Sequence, residues 1–320
     1  MYKVLVTHNI PGDGLSELRQ RCQVVTPPEG QLAFSRQQIL EHMADVDGVL
    51  ACAAIDAEMI AAAPKLKIIS NYGAGYDRID TAAAAARGIP VTNIPDDTMQ
   101  ATAELALALL MSLSRRVTEL DRALRAGEQG LFVMGQHMGH TLSGKTLGII
   151  GMGHIGGALA GMARALGMDV VYHNRHRLPP EREQGCRYME LDALLECADA
   201  ISLHCPLTDS TRNLIGRAQI ERMKPSAVIV NTARGGVIDT AALIDALKSG
   251  RIAGAALDVF PSEPEVPAEL LSMDNVVLTP HIGTNAVETR EQMARACAAR
   301  ILDALDGRTP ANVVNGVKLA

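Results

Sequence analysis

The sequence predicts an α/β protein with two doubly wound parallel sheets. Three observations carry this expectation. Short apolar strands alternate with helical stretches in two successive runs, a glycine-rich turn joins a strand to a helix near residues 146–157, and 320 residues leave room for two ordinary domains. Hydrophobic residues are 48% and charged residues 21%, the balance of a globular chain. A net charge of −6 argues against a nucleic-acid footprint. Aromatics are only 2% and Trp is absent, so the cores must be built from Ala, Leu, Ile, Val and Met. Cys22, Cys52, Cys186, Cys197, Cys205 and Cys297 form no C-x-x-C and no paired spacing, which points to free thiols in a reducing compartment and to no metal.

In chain order, residues 2–7 read as an apolar strand, followed by the turn Pro11-Gly12-Asp13-Gly14 and a short helix through Leu15 and Leu18. Val24 and Val25 mark a second strand, Ser35 can cap a helix carrying Ile39 and Met43, and residues 48–52 make a third strand. Met59 and Ile60 lie on another short helix, and residues 67–71 form a fourth strand ending at Tyr72-Gly73-Ala74-Gly75. Asp80 or Thr81 caps an Ala-rich helix that stops at Gly88, and residues 90–94 are a fifth strand. A helix over 98–116, apolar on most sides, is expected to be buried and to contribute to a subunit contact. Residues 127–145 are Gly-rich and irregular. The second run has strands near 147–151, 169–173, 199–204, 227–232, 253–258 and 275–279, and a long amphipathic helix over 287–305 follows. Its late position suggests that the chain returns to the first domain. The expected division is 1–98 plus 285–320 for one domain and 99–284 for the other. The N-terminus lacks a basic n-region and a long apolar segment, and the apolar run 105–113 is too short to span a bilayer, so a cytoplasmic protein without membrane partners is expected.

Gly151, Gly153 and Gly156 match G-x-G-x-x-G between the strand residues Leu147, Ile149 and Ile150 and a helix with Ile155, Leu159, Ala163 and Leu166 at helical spacing. The first glycine makes a tight turn, the second admits a pyrophosphate, and the third lets helix and strand pack closely. The helix start adds free N–H groups and a positive dipole end. This context points to dinucleotide binding. Gly139 to Thr146 also satisfies the P-loop pattern, but its Lys145-Thr146 runs into a strand rather than opening a helix, so ATP binding is not expected.

Ligands of open α/β sheets bind at the carboxyl ends of the strands. There the second run offers Arg234 after its fourth strand, Asp258 and Glu263 after its fifth, and His281 after its sixth. Arg234 suits a carboxylate fork that also polarises the adjoining carbonyl. His281 has the side chain whose ordinary pKa lies near neutrality and suits proton exchange, with Glu263 fixing the ring. Asp258 can receive a nicotinamide carboxamide or cap the next turn. In the first run, the bare N–H groups of Gly73-Ala74-Gly75 can hold a small carboxylate. Cys205 can line an adenine pocket or pack in the core. His137 and His140 have no third ligand nearby and read as loop residues.

On Gly151–Gly156, His204-Cys-Pro-Leu-Thr208, Met223-Lys-Pro225, Asn231-Thr-Ala-Arg-Gly-Gly-Val-Ile-Asp239, Leu257-Asp-Val-Phe260, Glu263-Pro264 and Pro280-His-Ile-Gly283, the chain resembles the D-isomer-specific 2-hydroxyacid dehydrogenases over nearly its full length. The resemblance implies a flavodoxin-like substrate domain, an inserted Rossmann NAD(P) domain and a homodimer. It implies Arg234 as substrate binder, His281 as acid/base and Glu263 as its partner. Ala74 and Gly75 offer backbone to the substrate carboxylate, while His154, Ile155, Thr232, Ala233 and Gly283 line the cofactor.

Two departures stand out. NAD-using relatives carry an acid at the end of the second strand to bind the ribose 2′-OH. Here Asn174 stands in its place, followed by Arg175, His176 and Arg177, of which Arg175 with Arg177 or His176 can take a 2′-phosphate. NADP(H) is therefore the expected cofactor, with NAD(H) possible. Many relatives also have a Trp where Leu131-Phe132-Val133 stands. The expected reaction is reduction of a small 2-oxo acid to the D-2-hydroxy acid; by the resemblance, the basic strand end implies the glyoxylate, hydroxypyruvate and 2-ketogluconate reductases of the family. An NAD-linked D-lactate-type dehydrogenase is the alternative. A non-catalytic dinucleotide-sensing corepressor is the rival from another class.

Overall fold

Nearly continuous apolar residues, buried on both faces, place the central strands of the first run between two helical layers. The computed structural model describes residues 1–319. Strands β1 (Tyr2–Val6), β2 (Cys22–Val25), β3 (Gly48–Ala51), β4 (Ile68–Asn71) and β5 (Val91–Thr92) alternate with helices α1 (Ser16–Arg21), α2 (Arg36–Met43), α3 (Ala57–Ala61) and α4 (Thr81–Ala86). Ser35 closes a capping box on α2, and Asp80, rather than Thr81, caps α4. The fifth strand keeps only two residues of the expected five because Pro95 opens the next helix, with Asp96 and Asp97 in its first turn.

That helix, α5 (Pro95–Ser114), starts earlier than expected and ends where Arg116 turns left-handed, at φ 55°. A further helix, α6 (Val117–Arg125), was not foreseen: none of its residues is buried, so its apolar side chains lack an evident core. The second run follows as β6 (Thr146–Ile150), α7 (His154–Ala165), β7 (Asp169–His173), β8 (Arg187–Tyr188), α8 (Leu191–Cys197), β9 (Ala200–Leu203), α9 (Arg217–Arg222), β10 (Val228–Asn231), α10 (Thr240–Lys248), β11 (Gly254–Leu257), α11 (Ala268–Leu271), β12 (Val276–Leu278) and α12 (Val287–Leu305). Two-residue β8 adds a seventh, edge strand to the six expected; it is too short to carry a period-two pattern.

The chain divides into two compact units, Met1–Thr98 with the segment from Thr284 onward, and Met99–Gly283. The first holds a five-stranded parallel sheet in the order β2-β1-β3-β4-β5, the flavodoxin-like order. Leu5, Val49 and Ile69 face α2 and α3 through Ile39, Met43, Met59 and Ile60. Val4, Leu50 and Ile68 face α1 and α12 through Leu18, Met293, Cys297 and Ile301. The second unit holds a seven-stranded parallel sheet, β12-β11-β10-β9-β6-β7-β8, a Rossmann order extended at one edge. One face packs Ile201, Ile229 and Leu257 against Leu194, Ile220 and Leu243, and the other packs Leu147, Ile149 and Val230 against Ala106, Leu110 and Leu159. No helix among the described residues is long and apolar enough to cross a membrane.

Candidate active site

In the second unit the strand order reverses at β6, which lies between β7 and β9. The turn after β6 is built there, and each glycine has a separate reason. Gly151 has φ 97°, and a Cβ on it would lie 2.5 Å from the Cys205 amide nitrogen. A Cβ on Gly156 would lie 2.6 Å from the Gly151 carbonyl, so the third glycine lets α7 close on the turn. A Cβ on Gly153 would meet nothing within 4 Å. Nothing inside the protein needs that glycine, and the bare position serves a group approaching from outside. Gly153 also leaves α7 without a side-chain cap, and the Ile155 and Gly156 amides donate to nothing among the described residues. A 12-residue helix with uncapped donors fits a pyrophosphate. Thr232, at the end of β10, adds a buried hydroxyl without a partner.

Asn174 does more than stand where an acid is expected. Its Oδ1 accepts the Met152 amide at 2.7 Å and so fastens the end of β7 to the glycine turn. Arg175 and His176 are exposed, and Arg175 has no ion pair or hydrogen bond among the described residues. Arg177 is engaged: its Nε lies 2.7 Å from Glu183 Oε1, which also accepts the Tyr172 hydroxyl at 2.8 Å. Cys205 is 8% exposed, and burial pushes its thiol up to about 11; its side chain packs in the core, so the turn meets its backbone.

β10, β11 and β12 are adjacent, which brings the loops carrying Arg234, Glu263 and His281 to one sheet edge. A Cβ on Gly235 would collide with the Phe260 carbonyl, so the Arg234 loop rests directly on the loop leading to Glu263. Asn231 holds the Arg234 loop from beneath, donating to the Arg234 carbonyl at 2.9 Å and accepting the Ala233 amide at 3.0 Å. Glu263 Oε1 accepts the Phe260 amide at 3.1 Å, and its Oε2 lies 2.8 Å from His281 Nδ1. With Nδ1 occupied, Nε2 is the nitrogen left for proton exchange. The side chain of His281 is 46% exposed and that of Glu263 18%.

Asp258 fills the capping role among the two left open for it. Fully buried, it accepts the Thr279 hydroxyl at 2.6 Å, the Ile282 amide at 2.8 Å and the Gly283 amide at 3.0 Å. It thereby shapes the turn in which His281 takes φ 53°. Burial raises its carboxyl above the ordinary range, against the pull of these donors and of His281. Oδ2 accepts one bond and keeps one lone pair for an outside donor.

In the first unit the turn after β4 has its carbonyls fastened. Asn71 Nδ2 donates to the Gly73 and Gly75 carbonyls at 2.8 and 2.9 Å, and Asn93 Nδ2 donates to the Ala74 carbonyl at 2.8 Å. The Ala74 and Gly75 amides donate to nothing among the described residues. Such a pair of outward amides suits a carboxylate. Both asparagines escaped the sequence reading, since neither stands in a recognisable motif.

The D-isomer specific 2-hydroxyacid dehydrogenase NAD binding domain matches residues 107–283. The chain is 44% identical to the glyoxylate reductase of Thermococcus litoralis over 326 aligned positions, covering 98% of this chain and 96% of that one. Among solved structures, a Thermus thermophilus protein superposes with a TM-score of 0.91 at 40% identity, covering 98% of this chain and 99% of that one. The NADPH-dependent glyoxylate/hydroxypyruvate reductase of Sinorhizobium meliloti, in complex with NADP and malonate, has a TM-score of 0.89 at 32% identity, covering 100% and 98%. With such likeness over nearly its whole length, the chain belongs to the D-isomer specific 2-hydroxyacid dehydrogenase family and is a nicotinamide-dinucleotide oxidoreductase acting on 2-oxo and 2-hydroxy acids.

Proposed function

We propose that the protein reduces a small 2-oxo acid, with glyoxylate, hydroxypyruvate and 2-ketogluconate as candidates, to the D-2-hydroxy acid, with NADPH preferred over NADH. The observation that carries the chemistry is the 2.8 Å pairing of His281 with Glu263 on the sheet edge that also bears Arg234. Bound at the glycine turn, the dinucleotide supplies the hydride. Arg234 holds the substrate carboxylate and polarises its keto oxygen. In the first unit, the outward amides of Ala74 and Gly75 are the backbone donors assigned to a substrate carboxylate. As hydride adds to the keto carbon, the carbonyl π pair moves onto oxygen, and that oxygen takes the proton from His281 Nε2. The imidazolium becomes neutral imidazole, and Glu263 keeps the ring oriented throughout. In the reverse direction the same nitrogen accepts the proton.

The cofactor preference rests on Arg175. It is exposed and unpaired, whereas Arg177 is bound to Glu183, so Arg175, helped by His176, is the cation available to a 2′-phosphate. Asn174 brings no charge to repel that phosphate. Oxidation of NADPH and NADH with the three candidate acids tests the reading. Arg175→Ala should raise the KM for NADPH about tenfold, the size of one charge-assisted contact, and leave that for NADH within about twofold. Equal losses with both cofactors would contradict the preference.

A homodimer completes the reading. Phe132 and Met134 are 95% and 100% exposed, Met111 and Met138 are exposed as well, and α6 itself presents Val117 and Leu124 to solvent. A second copy covering these side chains would give α6 the core it lacks within its own unit. Sedimentation should give about twice the 34.0 kDa chain mass.

A further inference from the structure

Open parallel sheets bind ligands at their carboxyl edge, where the strand order reverses. In the first unit that point lies between β1 and β3, and the reductase reading makes no use of it. Three strand ends meet there, with Thr7 and His8 after β1, Cys52 after β3 and Tyr72 after β4. Thr7 Oγ1 lies 3.2 Å from His8 Nδ1 and accepts the Cys52 amide at 2.9 Å. Helix α12 lays Arg290 over this group. The guanidinium carbon is 5.6 Å from the Tyr72 ring centroid, and the Tyr72 hydroxyl donates to the Arg290 carbonyl at 2.7 Å.

Arg290 is partly buried, and apart from the Tyr72 hydroxyl beside it its guanidinium has no carboxylate or other side-chain partner among the described residues. Its neighbours do not cancel its charge. Burial first, then the charges of Arg290 and Arg78, hold the His8 imidazole below its ordinary range, and burial pushes the Cys52 thiol up to about 12. The result is a cationic fork, steadied on an aromatic face, with an imidazole and a thiol beside it that bring no negative charge. An anion with acceptor oxygens is what such a fork lacks.

We propose that Arg290, with Tyr72 and His8, forms an anion subsite for the negatively charged far end of a four- or five-carbon 2-oxo acid. This rests on the reductase reading, with the near carboxylate on the Ala74–Gly75 turn that directly follows Tyr72. From β4 to β1 is two interstrand steps, roughly 10 Å, a span that a dianionic acid of this length and an arginine side chain bridge together. Glyoxylate does not reach the subsite; a far-end carboxylate or phosphate does.

The test compares kcat/KM for oxaloacetate and 2-oxoglutarate (carboxylate end), 3-phosphohydroxypyruvate (phosphate end), and 2-oxobutyrate and 2-oxovalerate (apolar end). At least one anion-ended acid should exceed the apolar-ended acids of matching length by about tenfold or more, the size of one hydrogen bond to a charged group. Whether carboxylate or phosphate gains more identifies the ligand's source. Arg290→Gln should lower kcat/KM for that acid about tenfold more than for glyoxylate, and Arg290→Lys, which keeps charge without the fork, should lose part of it. Calorimetric titration of succinate into the wild-type protein and both variants gives the same ranking without turnover. If no 2-oxo acid, glyoxylate included, is reduced, the reductase reading fails, and the succinate titration alone decides the subsite. Apolar-ended acids preferred by the wild type, or equal losses for glyoxylate and the dianions in Arg290→Gln, would overturn the proposal.

Discussion

The two units each follow a strand with a glycine turn, but they prepare its N–H groups in opposite ways. In the second unit, Gly151–Gly156 opens a 12-residue helix, and the donors are the uncapped first turn of that helix, backed by its dipole. In the first unit no helix follows Gly73–Gly75 directly; Asn71 and Asn93 draw the carbonyls inward, and the amides are left outward. A helix end with several donors suits the doubly charged pyrophosphate. A short turn with two donors suits one carboxylate. The asparagines show the same contrast in degree, since Asn174 accepts an amide at its turn at 2.7 Å and donates to the Met152 carbonyl only at 3.4 Å, while Asn71 and Asn93 donate to carbonyls at 2.8–2.9 Å. Donor direction, rather than glycine content, therefore separates the two turns.

The sharpest way to break the comparison lies within the second turn. Gly153→Val fills space that nothing in the protein occupies, so it should weaken dinucleotide binding about a hundredfold or more while stability stays within about 0.5 kcal/mol. Gly151→Val meets the backbone of Cys205 and should damage binding and stability together. Fluorescence titration with NADPH and thermal unfolding separate the two. If Gly153→Val bound normally, the pyrophosphate assignment would fail.

Reversing one asparagine in each turn tests donor direction. Asn71→Asp turns a buried donor into a carboxylate facing two carbonyls, and should cost about 3 kcal/mol of stability at pH 7. Asn174→Asp still accepts the Met152 amide and gives up only the long 3.4 Å donation to the Met152 carbonyl, so it should cost less than about 1 kcal/mol and shift the cofactor ratio about tenfold towards NADH. Equal destabilisation in urea would erase the distinction.

The second turn also leans on a titrating group, whereas the first leans on amides that do not titrate. The His204 amide donates to the Ile150 carbonyl just before Gly151, and its Nε2 lies 2.8 Å from Ser202 Oγ. His204 Nδ1 is buried without a partner, and burial pulls the imidazole down to about 4. Because the folded value lies below the unfolded 6.5, the unfolded chain takes up the proton first as pH falls. The full contribution is present above pH 6.5, and roughly 3 kcal/mol is lost between pH 6.5 and 4. His204→Gln should flatten the stability profile over that window, and an unchanged slope would remove His204 from the account.

Much of this was legible because it depends on local pattern. Short apolar runs alternating with helical spacing gave both sheets, and the position of residues after a strand gave Arg234, Glu263 and His281 a common edge. What stayed hidden depends on partners far apart in sequence. Asn71 and Asn93 act on carbonyls of a turn between them, Asn174 reaches back to Met152, and Arg177 is taken up by Glu183. Helix α6 was missed because it follows a left-handed residue and has no buried face within its unit to reveal it. Asp258 was read two ways because a strand-end acid looks alike whether it meets a ligand or its own backbone; three donors from residues 279–283 fix the capping role.

The central claim is that His281, oriented by Glu263, exchanges the proton while Arg234 holds the substrate. Single-turnover oxidation of bound NADPH by glyoxylate in the wild type, His281→Ala and Glu263→Gln tests it most directly. The account predicts a fall of about 10²–10⁴-fold for His281→Ala and a smaller one for Glu263→Gln, with NADPH affinity within about twofold of the wild type in both. Undiminished hydride transfer in His281→Ala would contradict it.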